Sequence, residues 1–153
     1  MSIDIVLVDD HLPFRACLKA LLGRQPDFVV VAEADHGGQV VDALMQAVRT
    51  PSNVACVILM DVDMPVVDGI EGTRRVVALA ASQQVPTYRV LALSSHDDPS
   101  LVAAMVAAGA RGYLLKDDPF DGLVQAIRDV AAGLRVFSPL LEAKPAPHGD
   151  SVN

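Results

Sequence analysis

Short runs rich in Val, Ile and Leu alternate along the chain with longer stretches in which apolar residues recur at helical spacing. The short runs are typical of β-strands that are buried on both faces, and the longer stretches are typical of amphipathic helices. Strands are predicted at residues 3–8, 28–34, 54–60, 88–93 and 111–115, each followed by a helix. The last of these helices has the clearest periodicity, which runs from Phe120 to Leu134.

This alternation predicts a single doubly wound α/β domain of the flavodoxin-like type, with a five-stranded parallel sheet in the order 2-1-3-4-5. Helices cover both faces of such a sheet, because each crossover between parallel strands is right-handed. Ligands bind outside the carboxyl ends of the strands, where the strand order reverses. We expect residues 1–137 to form the domain. Residues 138–153 are polar and rich in Pro, and we expect a linker or a disordered tail there.

Composition and charge exclude several other classes of protein. A net charge of −7 and a pI near 4.8 argue against a chain that wraps nucleic acid or coats an anionic membrane. The longest apolar run, residues 54–60, is far shorter than the roughly 20 residues of a membrane span, and the N-terminus lacks the basic region of a secretion signal. Cys17 and Cys56 lie in apolar runs, so we expect reduced core thiols. These features predict a cytoplasmic protein.

The residues that end the strands carry most of the candidate chemistry. They are Asp9 and Asp10 after strand 1, Asp61 and Asp63 after strand 3, Ser94 after strand 4 and Lys116 after strand 5. The carboxyl ends of parallel strands share one edge of the sheet, so these groups are expected to converge on one pocket. Clustered carboxylates repel one another and resist joint ionisation, and a hard, hydrated cation such as Mg²⁺ offsets that repulsion.

A cation beside Lys116 could also receive a phosphoryl group, because both positive charges neutralise its equatorial oxygens. An aspartate can act as the nucleophile and form an acyl phosphate. The pocket therefore predicts Mg²⁺-dependent phosphorylation of an aspartate. Each residue alone has a simpler explanation, since Asp9-Asp10 could cap a helix and Ser94 or Lys116 could be an ordinary surface group. Their placement at the ends of different strands favours the functional interpretation.

Four motifs surround these strand ends. They are Val-Asp-Asp-His at 8–11, Leu-Met-Asp-Val-Asp-Met-Pro at 59–65 followed by Asp68-Gly69, Leu-Ser-Ser-His-Asp-Asp at 93–98, and Ala-Gly-Ala-Arg-Gly-Tyr-Leu-Leu-Lys-Asp at 108–117. With them the chain resembles, over about residues 3–137, the CheY-like receiver domain of two-component response regulators. The Asp-Asp-His opening and the Gly-Tyr-Leu-Leu-Lys-Asp string resemble the NarL/FixJ (LuxR-type) subfamily.

The resemblance implies a phosphoacceptor and a metal site. Asp61 would accept a phosphoryl group from a phosphohistidine on a sensor histidine kinase. Asp10 and Asp61 would ligate Mg²⁺ directly, and Asp9 would act through a water molecule. The backbone carbonyl of Asp63 would complete the site.

The resemblance also implies a switch. Lys116 would pair with the Asp61 carboxylate and then with a phosphoryl oxygen, and Ser94 would form a hydrogen bond to that oxygen. Tyr113 would change rotamer with Ser94 and remodel the face made by helix 4, strand 5 and helix 5. The resemblance further implies a homodimer, which phosphorylation could promote, and no turnover of an external substrate.

Other interpretations stay open. No helix-turn-helix pattern follows residue 141, so we expect this chain alone not to bind DNA. It is either a fragment of a transcription regulator or a stand-alone receiver. Asp61-Val-Asp63 also resembles the Asp-x-Asp start of haloacid-dehalogenase-type phosphatases, but there the acidic metal pair comes later in the chain, whereas here Asp9-Asp10 comes first. A flavodoxin-like cofactor module is disfavoured, because Asp9-Asp10 would repel a flavin phosphate.

Overall fold

A computed structural model of the protein describes residues 2–47, 55–64, 68–83 and 88–142. Its strands are β1 (Ile3–Val8), β2 (Phe28–Ala34), β3 (Cys56–Met60), β4 (Tyr88–Ser94), β5 (Gly112–Leu115) and β6 (Val136–Phe137). Its helices are α1 (Leu12–Leu22), α2 (Val40–Ala47), α3 (Gly69–Gln83), α4 (Pro99–Ala108), α5 (Phe120–Ala131) and α6 (Pro139–Glu142), with a 3₁₀ turn at Gly37–Gln39 before α2. Residue 54 of the predicted third strand and the predicted tail from 143 onwards lie outside the described residues.

The described strands form one parallel sheet in the order β2-β1-β3-β4-β5-β6. The predicted order is therefore confirmed, but the prediction of five strands is wrong, because β6 adds a sixth at the edge beside β5. Gly112 pairs with Val136 and Tyr113 with Phe137 in this added strand. A strand this short has no periodicity to detect in the sequence.

The core lies in two layers, one on each face of the sheet. Successive strand residues point to opposite faces, so Ile58 belongs to one layer and Leu59 to the other. Helices α2, α3 and α4 cover the first layer, and α1 and α5 cover the second. The helical residues buried against these layers include Leu44, Val76 and Met105 on one side and Leu18, Leu22, Leu123 and Ile127 on the other. Each such side chain contributes about 1.5–3 kcal/mol to the stability of the fold when it is fully buried. This packing fixes the strand ends relative to one another.

Two other expectations are corrected. Helix α5 ends at Ala131, short of the predicted Leu134, because Gly133 adopts a left-handed φ of 94° and turns the chain back towards β6. Cys17 is exposed, although Cys56 is buried as expected and burial raises the pKa of its thiol to about 12. Cys17 precedes the buried Leu18 by one position, which on a helix is about 100° of rotation away from the core. No helix in the described part of the chain is long and apolar enough to cross a membrane.

Gly109 ends α4 at a position where only glycine fits well. Its φ is 115°, and a Cβ added there would lie 2.6 Å from Cγ2 of Val77 on α3. Gly109→Ala is therefore expected to lower the free energy of unfolding by about 1–3 kcal/mol in a urea titration. Gly122, in the first turn of α5, is the matched control, because a Cβ there meets nothing within 4 Å. Gly122→Ala should be neutral or stabilising, and equal losses for both variants would contradict the assignment.

Candidate functional site

Backbone hydrogen bonds extend the sheet past the ends of its strands. The N–H of Asp61 donates to the carbonyl of Val8 at 2.9 Å, and the N–H of Lys116 donates to the carbonyl of Ser94 at 2.8 Å. The residues that follow β3 and β5 are therefore held by the same ladder as the core strands. This rigidity places their side chains on the edge where the strand order reverses.

Carboxylates from two strand ends meet at this edge. One oxygen each from Asp9, Asp10 and Asp61 lies within 4.8 Å of the others, and the first and last of these residues are buried whereas Asp10 is exposed. Three of the four residues predicted for a metal site are thus brought together by their side chains. The fourth, Asp63, directs its exposed carboxylate to Nε2 of His96 at 3.3 Å, so only its backbone could serve the cluster.

Lys116 supplies the positive charge beside this cluster. Its Nζ lies 2.8 Å from Oδ2 of Asp9 and 3.7 Å from Oδ2 of Asp61, and 4.5 Å from the centre of the Phe14 ring. The resemblance implies a pair with Asp61, whereas the nearer partner here is Asp9. Both carboxylates attract the ammonium group, which therefore lies between them and closer to the carboxylate of Asp9.

The charge on Asp61 is costly in this position. Burial, followed by the nearby negative charge of Asp9, raises the pKa of Asp61 to about 6, although Lys116 opposes the shift. The carboxylate is therefore poorly compensated by the protein alone. A cation at this position would restore its charged, nucleophilic form.

Ser94 and Tyr113 hold the backbone of His96, which lies in the loop between β4 and α4. Both side chains are fully buried. The hydroxyl of Ser94 accepts from the N–H of His96 at 2.9 Å, and the hydroxyl of Tyr113 donates to the carbonyl of His96 at 2.6 Å. Burial raises the pKa of Tyr113, and a hydrogen bond with Ser94 opposes the shift. The two residues predicted to form the switch are therefore both hydrogen-bonded to the backbone of the same residue, His96.

A family model described as the response regulator receiver domain matches residues 5–128. The chain belongs to the response regulator receiver family. Receiver domains of this family are generally signalling modules rather than enzymes, and they bind Mg²⁺ at an acidic pocket. This chain has an acidic cluster formed by Asp9, Asp10 and Asp61.

Curated relatives place the receiver in the NarL/LuxR group. The transcriptional regulatory protein DegU of Brevibacillus brevis is 41% identical over 132 residues, which cover 86% of this chain and 51% of DegU. The probable transcriptional regulatory protein NarL of Mycobacterium tuberculosis is 34% identical over 140 residues, which cover 92% of this chain and 60% of that protein. The chain spans about half to two thirds of the length of the curated relatives it matches.

Solved structures agree with this assignment. A two-component response regulator of the LuxR family from Aurantimonas sp. SI85-9A1 has a TM-score of 0.80 and 30% identity, and the match covers 93% of this chain and 94% of that one. The receiver domain of the putative response regulator NarL from Mycobacterium tuberculosis has a TM-score of 0.71 and 33% identity, over 86% of this chain and 98% of that one.

Two residues of the receiver's site were missed by sequence reasoning. His96 contributes through its backbone, which gives no sequence signal. Arg15 is buried beneath the acidic cluster on the same face of α1 as Leu18 and Leu22. A basic residue at the spacing of core positions was the available signal, because an arginine is buried only when it has partners.

The raised pKa of Asp61 makes the stability of the metal-free receiver depend on pH. The folded protein keeps a proton on Asp61 up to about pH 6, whereas the unfolded chain releases it near the ordinary value of 3.8. Stability from this group is full below pH 3.8 and is lost as the pH rises through about 6. With a chelator present at neutral pH, Asp61→Asn should therefore raise the Tm by roughly 2–4 °C, a gain that disappears towards pH 3.8.

Scanning calorimetry measures this gain. Mg²⁺ should raise the Tm of the natural sequence and change that of Asp61→Asn much less. Asp42→Asn, which alters an exposed carboxylate on α2, is the control and should not raise the Tm at neutral pH. Identical Tm profiles for the two variants would refute a buried, uncompensated charge on Asp61.

Proposed function

We propose that this receiver takes a phosphoryl group onto Asp61 from a phosphohistidine of a sensor histidine kinase, in a reaction that requires Mg²⁺. One observation carries the proposal: carboxylate oxygens of Asp9, Asp10 and Asp61 lie within 4.8 Å of one another, with the Lys116 ammonium 2.8 Å from Asp9. Membership of the receiver family supports it.

The donor set suits Mg²⁺. Oxygens that bind one Mg²⁺ at roughly 2.0–2.1 Å lie at most about 4.2 Å apart, and the 4.8 Å limit of this cluster is close to that span. In the proposed site, Asp10 and Asp61 are direct ligands and Asp9 acts through water, with the carbonyl of Asp63 as a further ligand. When bound, the cation would neutralise charge on the carboxylates and on the transferring phosphoryl group.

The transfer uses the chain's own groups in sequence. An oxygen of the Asp61 carboxylate attacks phosphorus, the P–N bond to the kinase breaks, and its electron pair returns to the imidazole nitrogen. Lys116 pairs with one phosphoryl oxygen, and the hydroxyl of Ser94 donates to it as well. Later attack by water on the acyl phosphate releases inorganic phosphate and restores Asp61, so no external substrate is turned over.

The signal leaves through the segment that Ser94 and Tyr113 hold. If Ser94 turns towards a phosphoryl group, its shared contacts with Tyr113 and with the backbone of His96 change, which alters the face made by α4, β5 and α5. That face would serve a homodimer, and the output would be control of transcription through a DNA-binding domain of a longer protein, as the names of the relatives suggest. The inferred cytoplasmic location is part of this proposal.

Intact-mass spectrometry tests the phosphorylation. Incubated with Mg²⁺ and a small acyl phosphate such as acetyl phosphate, the protein should gain one phosphoryl group and then lose it slowly. Asp61→Ala should gain none, and neither should the natural sequence in a chelator, whereas Asp42→Ala should label normally. Labelling of Asp61→Ala would refute the site, and rapid steady hydrolysis of a phosphate ester would favour a phosphatase instead.

Lys116 is expected to act on the rate of transfer. Lys116→Gln removes the cation that faces the phosphoryl oxygens, so the labelling rate should fall about 100-fold. Arg74→Gln removes a positive charge from the exposed side of α3, where it pairs with Glu71 at 3.4 Å, and should leave the rate within about twofold. A Lys116→Gln rate equal to that of the natural sequence would exclude Lys116 from the reaction.

A further inference from the structure

Arg15 is a buried cation beneath the acidic cluster. The residue is 8% exposed, and its helix face is shared with the core residues Leu18 and Leu22. Placing a guanidinium there is strongly unfavourable unless charged and polar partners surround it. Those partners should therefore reveal what the residue does.

The guanidinium of Arg15 joins the ends of two neighbouring strands. Its Nη1 donates to the backbone carbonyl of Asp9, to the carbonyl of Ala34 at 3.3 Å and to Oδ1 of Asp35 at 3.0 Å. Its Nε donates to Oε1 of Glu33 at 3.0 Å. Carboxylates at the end of β2 thus hold the guanidinium, and the guanidinium in turn holds the end of β1.

The backbone of Asp9 is fixed on both sides by this arrangement. Its N–H donates to the carbonyl of Ala34 at 3.1 Å, the same carbonyl that Arg15 binds, and its own carbonyl accepts from Arg15. That carbonyl belongs to the peptide bond between Asp9 and Asp10. Its orientation therefore sets the direction in which the Asp10 carboxylate leaves the chain.

We propose that Arg15 is a positioning residue for the cation site: by holding the Asp9–Asp10 peptide against the end of β2, it makes the carboxylates converge without itself touching the cation or the phosphoryl group. The inference rests on the proposed function, because it presumes that the cluster binds Mg²⁺. It adds a residue to that site that lies behind the ligands rather than among them.

Electrostatics alone predicts the opposite effect, which makes the inference testable. Removing a positive charge near a cation site should tighten cation binding by simple Coulomb attraction. A positioning role predicts weaker binding, because the carboxylates lose their alignment. Arg15→Lys keeps the charge but has a single donor head that cannot reproduce the planar fork, so charge alone predicts no change for that variant.

The test is to titrate the full chain with Mg²⁺ alone and to measure the binding affinity by calorimetry. Arg15→Met should weaken Mg²⁺ binding about 10- to 100-fold, as for other residues that orient metal ligands, and Arg15→Lys should weaken it by a smaller factor. The rate of labelling by acetyl phosphate at saturating Mg²⁺ should fall much less than the affinity. Arg15→Lys keeps the inference testable if Arg15→Met does not fold.

Arg128 provides a matched control at the amino ends of the strands, opposite the acidic cluster. It links α5 to the segment before β2 through Asp27 at 2.9 Å and Gln25 at 3.2 Å. Arg128→Met should lower the Tm but leave the Mg²⁺ affinity unchanged. Unchanged or tighter Mg²⁺ binding in both Arg15 variants would overturn the inference while leaving the proposed function intact. If the natural sequence binds no Mg²⁺, both fail.

Discussion

The repulsion between buried carboxylates at the carboxyl edge of the sheet governs the rest of this site. Asp9 and Asp61 follow the neighbouring strands β1 and β3. Backbone hydrogen bonds hold each of them against the adjacent strand, and both residues are buried. The fold thus forces two acidic groups together in a place with little water. Lys116 compensates part of this charge, and the raised pKa of Asp61 indicates that part remains. A cation that binds at such a site reduces the repulsion between the carboxylates, and the bound cation can then attract an anion such as a phosphoryl group.

The surroundings of the cluster divide into a fixed side and a side that can change. On the β2 side, Arg15 is locked between strand ends by two carboxylates and two carbonyls. On the β4 side, Ser94 and Tyr113 reach the same backbone segment at His96 through single hydrogen bonds. A charge added at Asp61 would therefore have the fixed strand ends around Arg15 on one side, and on the other the loop at His96, which can rearrange. This asymmetry is what a switch requires, since a local change must be passed in one direction.

Sequence patterning was sufficient for the architecture because periodicity records burial. The bounds predicted for β1 and β2 match those observed, since both strands are mostly apolar and are bounded by polar residues or turns. β6 was not predicted, because it owes its pairing to the turn at Gly133 rather than to its own residues. Convergence of Asp9, Asp10 and Asp61 followed from topology alone. The nearer pairing of Lys116 with Asp9 and the backbone role of His96 depend on distances and could not be predicted from residue types.

The uncompensated carboxylate of Asp61 is the group proposed to receive the phosphoryl group. Reduction of the labelled protein with borohydride converts an aspartyl phosphate to homoserine, which peptide mass spectrometry locates. Homoserine is expected at position 61 and nowhere else, and only when Mg²⁺ was present during labelling. Homoserine at position 9, 10 or 63, or a label that resists reduction and maps to a histidine, would contradict it.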